Sequence, residues 1–232
     1  DYGLSPNGNH AALSIHVKGN VDLDGTINVL NSSGVSFDPG IYNLIQYDGT
    51  KTGNPVEGNM PSPEFYLQTV VPHQINLINT KGMVLNYWDG GIITNHDNGV
   101  VDGGGGTWQA FGGNDNWTDM QGAINAGYVD NSFAIFQTKG GIVTVDDSHG
   151  AVSVSGIQFA ADNYEIKGDA ITLNGTSNTI RVGDGSANGL AFSATISADL
   201  DGNAELIKND LGTLKLRGTN SYSGGTRVKN GI

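Results

Sequence analysis

The chain of 232 residues is long enough for one large all-β domain. It carries 11 basic and 23 acidic side chains, a net charge of −12, and no stretch gathers enough lysine or arginine to follow a phosphate backbone, which argues against nucleic acid as a partner. The absence of cysteine excludes disulfides and thiolate metal sites. The sequence contains no run of about 18 apolar residues, the length that would predict a membrane-spanning helix.

Short strands are predicted throughout the first 100 residues. Apolar and polar residues alternate with period two, and each run ends in Gly, Asn or Asp, which is typical of strands separated by turns. No long helical period interrupts this pattern. The predicted strands are 13–17, 21–23, 26–30, 35–37, 42–47, 65–71, 74–78 and 83–88.

Residues 101–137 interrupt the strand pattern. They begin with Val101, Asp102 and four glycines, and the segment is expected to form a protruding loop or an irregular rung. The alternative is a short helix, because Thr118 followed by Gln121 matches a capping box. The aromatic residues expected to anchor this segment are Trp108, Phe111, Trp117, Tyr128, Phe133 and Phe136.

After residue 140 the strands become more regular. Three strands per coil would give rungs of about 20 to 30 residues, the scale on which solenoid repeats stack. A β-sandwich has comparable strand spacing, so periodicity alone leaves both architectures open. The predicted strands are 142–145, 151–154, 157–159, 164–166, 170–173, 179–182, 194–196, 204–207, 213–216 and 226–228.

Residues 211–232 carry the most specific motif. They read LGTLKLRGTNSYSGGTRVKNGI, in which alternating aliphatic and polar residues are followed by a pair of glycines. This segment resembles the passenger-associated repeat of bacterial autotransporters, whose pattern is roughly G-x-L-x-L-x-G-x-N-x-Y-S-G-G-T-x-V. The matching residues are Gly212, Leu214, Leu216, Gly218, Asn220, Tyr222, Ser223, Gly224, Gly225, Thr226 and Val228.

The resemblance to autotransporter passengers extends upstream to about residue 83, through WDGG at 88–91 and the run from GGIVTV to IRVGDG. It implies an all-β fold consisting of a single right-handed parallel β-helix. It also implies export from a Gram-negative cell, to be secreted or displayed at the surface, with the polypeptide continuing to a C-terminal membrane β-barrel. The expected parts are N-terminal rungs at 1–100, the irregular segment at 101–137 and regular rungs at 138–232.

Sequence signatures of catalysis are missing. Serine-protease and lipase passengers need GDSG, G-x-S-x-G or GDSL-type sequences, and none occurs. Asp146, Asp147 and His149 are acid–base candidates of the kind used by polysaccharide-cleaving β-helices. Their position between two strands also fits a polar turn, and no aligned carboxylate is evident on a neighbouring rung. The chain is therefore predicted not to be an enzyme.

No cofactor or metal site is predicted. The aspartates near glycines do not form a Ca²⁺ loop that ends in a bidentate Glu. The histidines lack metal-ligand spacing and are expected at the surface or at rung edges. The aspartates considered are Asp22, Asp24, Asp184, Asp199 and Asp201, and the histidines are His10, His16, His73, His96 and His149.

Aromatic residues supply the candidate binding site. Because Trp and Tyr are enriched at binding hot spots, the 101–137 segment is predicted to bind a host cell-surface protein. The alternative is that its rings cap the core of the fold. The candidate binding residues are Trp108, Phe111, Trp117 and Tyr128.

Among passengers, the upstream run and compact size resemble the Bartonella angiogenic factor A group. That resemblance implies a virulence factor that mimics vascular endothelial growth factor (VEGF), with a VEGF receptor of endothelium as its partner. Two alternatives remain open. The chain is either an adhesin, or a structural stalk or folding segment that positions a functional region elsewhere in the polypeptide.

Overall fold

The computed structural model describes residues 15–30, 40–69, 73–79, 86–185 and 187–232. Within these ranges the chain is all-β with a few 3-10 turns and no α-helix. None of the helical turns described there is long and apolar enough to cross a membrane. The chain divides into two compact units, Asp1–Met83 and Val84–Ile232. The predicted strand at 35–37 and His10 lie outside the described residues.

The described part of the first unit is built of short strands. They are β1 (Ile15–Val17), β2 (Val21–Asp22), β3 (Thr26–Ile27), β4 (Gly40–Tyr47), β5 (Lys51–Thr52), β6 (Val56–Glu57), β7 (Phe65–Gln68) and β8 (Gln74–Asn79). Strands β1, β2 and β3 pair in parallel with β4, β5 and β6. Strand β8 runs antiparallel to both β4 and β7, so parallel pairing is not maintained throughout this unit. Its small core contains Phe65 and Leu77.

The second unit continues the chain with further short strands. They are β9 (Tyr87–Trp88), β10 (Gly106–Trp108), β11 (Trp117–Thr118), β12 (Asn125–Ala126), β13 (Phe133–Phe136), β14 (Ile142–Val145), β15 (Val152–Val154), β16 (Gly156–Phe159), β17 (Tyr164–Gly168), β18 (Ile171–Leu173), β19 (Ser177–Val182), β20 (Ser193–Ile196), β21 (Leu200–Gly202), β22 (Glu205–Asn209), β23 (Thr213–Leu216) and β24 (Thr226–Val228). All the strands predicted after residue 140 are confirmed to within two residues, and β21 was missed.

Parallel strands in three sheets organise the second unit. One sheet has eight strands in the order β12, β11, β9, β13, β16, β19, β22 and β24, and it is parallel from β9 onward. The second contains β10, β14, β17, β20 and β23, the third contains β15, β18 and β21, and both are parallel. Consecutive strands of the chain therefore enter different sheets, and each coil lays its strands against those of the coil before it. This arrangement is β-helix-like and differs from a sandwich of antiparallel strands.

The core follows from the register of these parallel strands. Val143 lies opposite Ile166, which lies opposite Ile196 in the next rung, and all three are completely buried. In the third sheet Ile171 lies opposite Leu200. Because successive side chains of a strand point to opposite faces, alternate residues form continuous apolar columns inside the stack. The β-branched residues that dominate these columns suit the pleated surface.

Lys208 occupies one of these inward positions, opposite Ile180 and Val228. It is only 2% exposed. Its ammonium group donates hydrogen bonds to the backbone oxygens of Asn209 at 2.9 Å, Asp210 at 2.9 Å and Asn230 at 3.1 Å, which uses all three of its donors. Burial lowers the pKa of Lys208, and the negative charge of Asp210 opposes this shift.

Two isoleucine-to-alanine substitutions test whether the columns carry the stability. Ile166→Ala removes a completely buried side chain in β17 and is expected to lower the free energy of unfolding by about 2–5 kcal/mol. Ile142→Ala in the neighbouring β14 is the matched control, since Ile142 is 51% exposed and should lose about 1 kcal/mol or less. Denaturant unfolding measures both, and equal losses would contradict the assignment.

Candidate functional site

Buried aromatic rings fill the start of the second unit's core. Trp88, Trp108 and Trp117 are completely buried. The ring centroids of Trp108 and Trp117 lie 5.0 Å apart, and those of Trp88 and Trp117 lie 5.3 Å apart. Tyr128 joins them, 4.7 Å from Trp117. Phe136 packs within 5.9 Å of each tryptophan. These spacings are those of favourable aromatic pairs, so the cluster closes one end of the core.

The strands that carry these rings explain their burial. Trp108 in β10 lies opposite Val145, an inward residue of β14. Trp117 in β11 lies opposite Trp88 in β9, and this pairing is antiparallel. Residues 86–128, which we call the cap segment, thus extend the core with rings and end the eight-stranded sheet at β12, whose two residues are buried. A short covered edge strand is a poor template for further strand pairing.

The burial of these rings corrects the predicted binding site. Trp108, Trp117 and Tyr128 are completely buried, so they have no surface to offer a partner. Their large apolar areas stabilise the fold by packing together. The hydroxyl group of Tyr128 donates to the backbone oxygen of Ser132 at 2.9 Å, and burial raises the pKa of Tyr128. Phe111 is 39% exposed, so for this residue a binding role stays a prediction.

The alternative of a short helix in this segment is wrong. Thr118, expected to begin it, lies in β11 and donates its hydroxyl hydrogen bond to the backbone oxygen of Ile124 at 2.8 Å. Gln121 lies in the turn that follows, where its backbone N–H donates to Asp119 Oδ1 at 2.7 Å. The capping sequence therefore closes a turn between β11 and β12, because Trp117 is required in extended conformation beside Trp88.

A buried polar network holds the turns of the cap segment. Asp89 is 1% exposed and accepts from the backbone N–H of Asp102 at 2.7 Å and from Asn125 Nδ2 at 2.9 Å. Asn125 in turn exchanges hydrogen bonds with Asp97 through both backbone N–H groups, at 2.6 and 2.9 Å. Burial raises the pKa of Asp89, while the hydrogen bonds from Asp102 and Asn125 oppose the rise. The network ties β12 to the turn after β9.

His96 lies beside this network. Its side chain is 2% exposed, which corrects the prediction that the histidines lie at the surface or at rung edges. Nε2 lies 3.1 Å from the backbone oxygen of Gly90, and Nδ1 lies 3.6 Å from Asp115 Oδ1. Burial by itself lowers the pKa of His96. The nearby carboxylate of Asp115, the Gly90 carbonyl and the charge of Asp89 outweigh burial and leave the pKa of His96 above its ordinary value.

Val100 and Met120 are two of the exposed apolar side chains of the cap segment, which also include Ile92, Ile93 and Phe111. Val100 is 52% exposed and Met120 is 62% exposed. The loops that carry them are joined by a hydrogen bond from the backbone N–H of Gly99 to the backbone oxygen of Gly122, at 2.9 Å. Gly122 has φ of 69°, and an added Cβ would lie 2.3 Å from Val100 backbone atoms, so only glycine fits this close approach. We call Val100 and Met120 the apolar tip.

An acidic turn brings together two of the predicted acid–base candidates. Carboxylate oxygens of Asp146, Asp147 and Asp169 all lie within 4.8 Å of one another. The expectation that no carboxylate is aligned on a neighbouring rung is therefore wrong. Asp146 and Asp169 directly follow Val145 and Gly168, which are register partners, so they share one corner of the stack. The sequence signal that could have predicted this alignment is an aspartate directly after each of the two strands.

The carboxylates of Asp146 and Asp169 in this acidic turn already accept hydrogen bonds within the fold. Asp146 accepts from the backbone N–H of Ser148 at 2.9 Å and from Gln109 Nε2 at 2.8 Å. The side chain and backbone of Ser148, followed by Gln109, hold the pKa of Asp146 below its ordinary value. Asp169 accepts from the backbone N–H of Asp147 at 3.0 Å. Oxygen ligands of this kind suit Ca²⁺. Among the residues that the structure describes, no other acidic or histidine cluster of three has this closeness, and the five aspartates considered for Ca²⁺ form none.

Comparisons with known proteins identify relatives of both the repeat and the whole chain. Residues 206–232 match the family described as passenger-associated-transport-repeat. The chain is 52% identical over 223 residues to the adhesin BmaC autotransporter of Brucella suis biovar 1 (strain 1330), which covers 94% of the chain and 6% of that protein. No solved structure matches the chain. The findings support an autotransporter passenger domain exported through the outer membrane to the cell surface.

Substitutions of two aromatic residues test the corrected role of the cluster. Trp117→Ala is expected to lower the free energy of unfolding by about 3–5 kcal/mol, because it opens a cavity among buried rings. Phe111→Ala is the matched control and should lose about 1 kcal/mol or less. Denaturant unfolding followed by tryptophan fluorescence measures the difference. A Trp117→Ala variant as stable as the parent would contradict the assignment to the core.

The stability of the second unit should depend on the protonation of His96. Since the folded-state pKa is raised, protonated His96 stabilises the fold at pH values below 6.5, and this contribution is lost as the pH rises through the folded-state pKa. The raised pKa of Asp89 has the same sign at lower pH. The thermal midpoint is therefore expected to decrease as the pH rises above about 6.5. His96→Gln should flatten this dependence and exposed His149→Gln should not; equal profiles would contradict the prediction.

Proposed function

We propose that this segment of an autotransporter passenger, exported through the outer membrane to the cell surface, acts there as a non-enzymatic adhesin that contacts a host-cell protein. The observation that carries the proposal is the 52% identity to a protein named an adhesin autotransporter. Because the chain spans 6% of that relative, adhesion by this segment itself is part of the proposal.

The scaffold of the proposed adhesin is a right-handed parallel β-helix in the second unit. Its support is the set of parallel strands in three sheets, which consecutive strands from β13 to β23 enter in turn. Crossover connections between parallel strands are almost always right-handed. A stack whose apolar columns run from rung to rung is rigid, and a rigid scaffold presents its loops in fixed positions.

The apolar tip is the proposed contact with the partner. Exposed apolar side chains grouped on loops mark interaction sites more often than singly scattered ones do. The loops that carry Val100 and Met120 are tied together at Gly99 and Gly122, and the Asp89 network lies beneath them. This anchoring limits the conformational entropy lost on binding. The net charge of −12 favours a partner whose apolar contact is surrounded by basic residues.

Non-enzymatic action is supported by the condition of the acidic turn. Its carboxylates already accept hydrogen bonds from Gln109, Ser148 and the turn's own backbone. A general acid of a glycosidase has a raised pKa, whereas the pKa of Asp146 is lowered. The turn therefore has the character of a structural corner.

The other readings of the sequence have less support. Neither the matched repeat nor the matched relative favours a VEGF-like activator of an endothelial receptor. A stalk or folding segment is the second candidate, because the chain is a small part of its relative and its rungs are regular. A stalk would need neither the apolar tip nor binding by the 232-residue chain on its own.

Adhesion of the purified 232-residue chain to cultured host cells tests the proposal. The parent protein should bind, and replacing both Val100 and Met120 by Ser should weaken binding by about tenfold or more, since exposed anchors are lost. Ile142→Ser is the control, because Ile142 is an apolar residue on a strand and is about as exposed as Val100. Circular dichroism should show the same folded structure for all variants.

Salt dependence of the same binding adds a second readout. An acidic protein that meets a basic surface should associate more slowly as ionic strength rises. Failure of the parent chain to bind cells would overturn its role as an adhesin and favour a stalk. Binding that is unchanged in the Val100 and Met120 variant would overturn the apolar tip as the contact.

A further inference from the structure

The turn after β18 places a backbone nitrogen beside a side-chain amide. Asn174 and Gly175 are both exposed, and Gly175 has φ of 87°. The backbone N–H of Gly175 donates to Asn174 Oδ1 at 2.9 Å. That oxygen is joined to Cγ by a bond of about 1.23 Å. The nitrogen of Gly175 therefore lies next to the carbon of the Asn174 side-chain amide.

We propose that Asn174 is a site of spontaneous deamidation. Gly175 nitrogen gives its proton to solvent hydroxide and attacks Cγ of Asn174. A new C–N bond closes a five-membered succinimide ring, and the side-chain nitrogen leaves as ammonia. Water then adds to one of the two ring carbonyls, which opens the ring to aspartate or isoaspartate. The products are a carboxylate in place of a neutral amide and one ammonia, with no change in oxidation state.

A glycine on the C-terminal side favours the ring closure, because no Cβ obstructs it and the backbone reaches the needed conformation freely. Proximity of the reacting atoms contributes further, since a nearly preformed contact removes much of the entropic barrier. Both conditions are met at Asn174 within the folded protein. The reaction therefore needs neither unfolding nor a second molecule other than water.

The same dipeptide at Asn98 and Gly99 has hydrogen bonds that should protect it from deamidation. Asn98 Oδ1 accepts from the backbone N–H of Val100 at 2.7 Å, and its Nδ2 donates to Asp102 Oδ2 at 2.8 Å. The backbone N–H of Gly99 donates to the oxygen of Gly122 at 2.9 Å. The attacking nitrogen of Gly99 is thus held by a distant backbone oxygen and not by the Asn98 side chain, so folding should slow the reaction at Asn98.

Deamidation at Asn174 would alter contacts between rungs. Asn174 Nδ2 donates to Asn131 Oδ1, which also accepts from Ser153 Oγ at 2.9 Å. A carboxylate has no N–H to donate, so the link to Asn131 is lost. Isoaspartate also adds a main-chain atom ahead of β19, where buried Asn178 donates to Val154 oxygen at 2.7 Å. The displayed protein would gain negative charge and a looser turn as it ages.

Peptide mapping of the aged protein tests the proposal. The folded chain and a chain unfolded in denaturant are incubated in mildly alkaline buffer, and the mass gain and isoaspartate content are followed at Asn174 and Asn98. The rate ratio between folded and unfolded protein is the measured quantity. It should stay near unity at Asn174 and fall several-fold at Asn98. Asn174→Gln should abolish the signal at this position without changing the rate at Asn98.

Two outcomes would overturn the proposal. One is protection of Asn174 by folding to the same extent as Asn98. The other is modification at Asn174 that does not accelerate with pH, because the attack requires a deprotonated backbone nitrogen. Thermal unfolding of Asn174→Asp gives an independent readout, since loss of the donor to Asn131 should lower its midpoint relative to Asn174→Gln. Equal midpoints would remove the proposed effect on the rungs.

Discussion

In-register stacking of inward side chains is the interaction on which the second unit depends. The column from Val143 through Ile166 and Ile196 to Leu216 runs across one sheet, and each residue buries its neighbour in the next rung. A single rung cannot bury its own apolar face, so the free energy of folding comes from contacts between rungs. Lys208 fits an inward position only because three backbone carbonyls accept its donors.

The stack also needs a beginning, and the cap segment provides it. Trp88, Trp108 and Trp117 cover the apolar columns where the stack begins. Antiparallel β11 and β12 take the place of the parallel strands that a further rung would supply. The loops between these strands are held by buried polar groups. Consequently the cap segment combines a rigid interior with exposed loop tips, which is the arrangement that binding surfaces on repeat scaffolds use.

Register has a second consequence at the corners of the stack. Because strands of adjacent rungs start and end together, residues far apart in sequence meet in a row. Asp146 and Asp169 form one such row, and Asn131 and Asn174 belong to another. The chemistry of a corner residue is therefore set by its neighbours on adjacent rungs and by the hydrogen bonds available to it. The turns at Asn98 and Asn174 differ for the same reason: the backbone N–H of Gly99 has a distant carbonyl as its acceptor, whereas that of Gly175 donates to the Asn174 side chain.

The sequence by itself determined the strands of the regular rungs and the family of the terminal repeat. Both are local: period-two alternation, glycine turns and the motif at 211–232 lie within one or two rungs. Most of the candidate site depends on contacts between residues distant in sequence and could not be predicted from local patterns. Whether Trp108 and Trp117 face a partner or the core depends on their opposition to Val145 and Trp88, distant in sequence.

The tertiary structure alone decided the burial of His96, the formation of a strand and not a helix at Thr118, and the meeting of Asp146 with Asp169. Each outcome follows from which segments become neighbours when the rungs stack. Periodicity states that a residue lies in a strand and on one of its two faces, but it carries no information on the partner across the sheet. Packing of one rung on the next supplies that information, because only one register buries every apolar column at once.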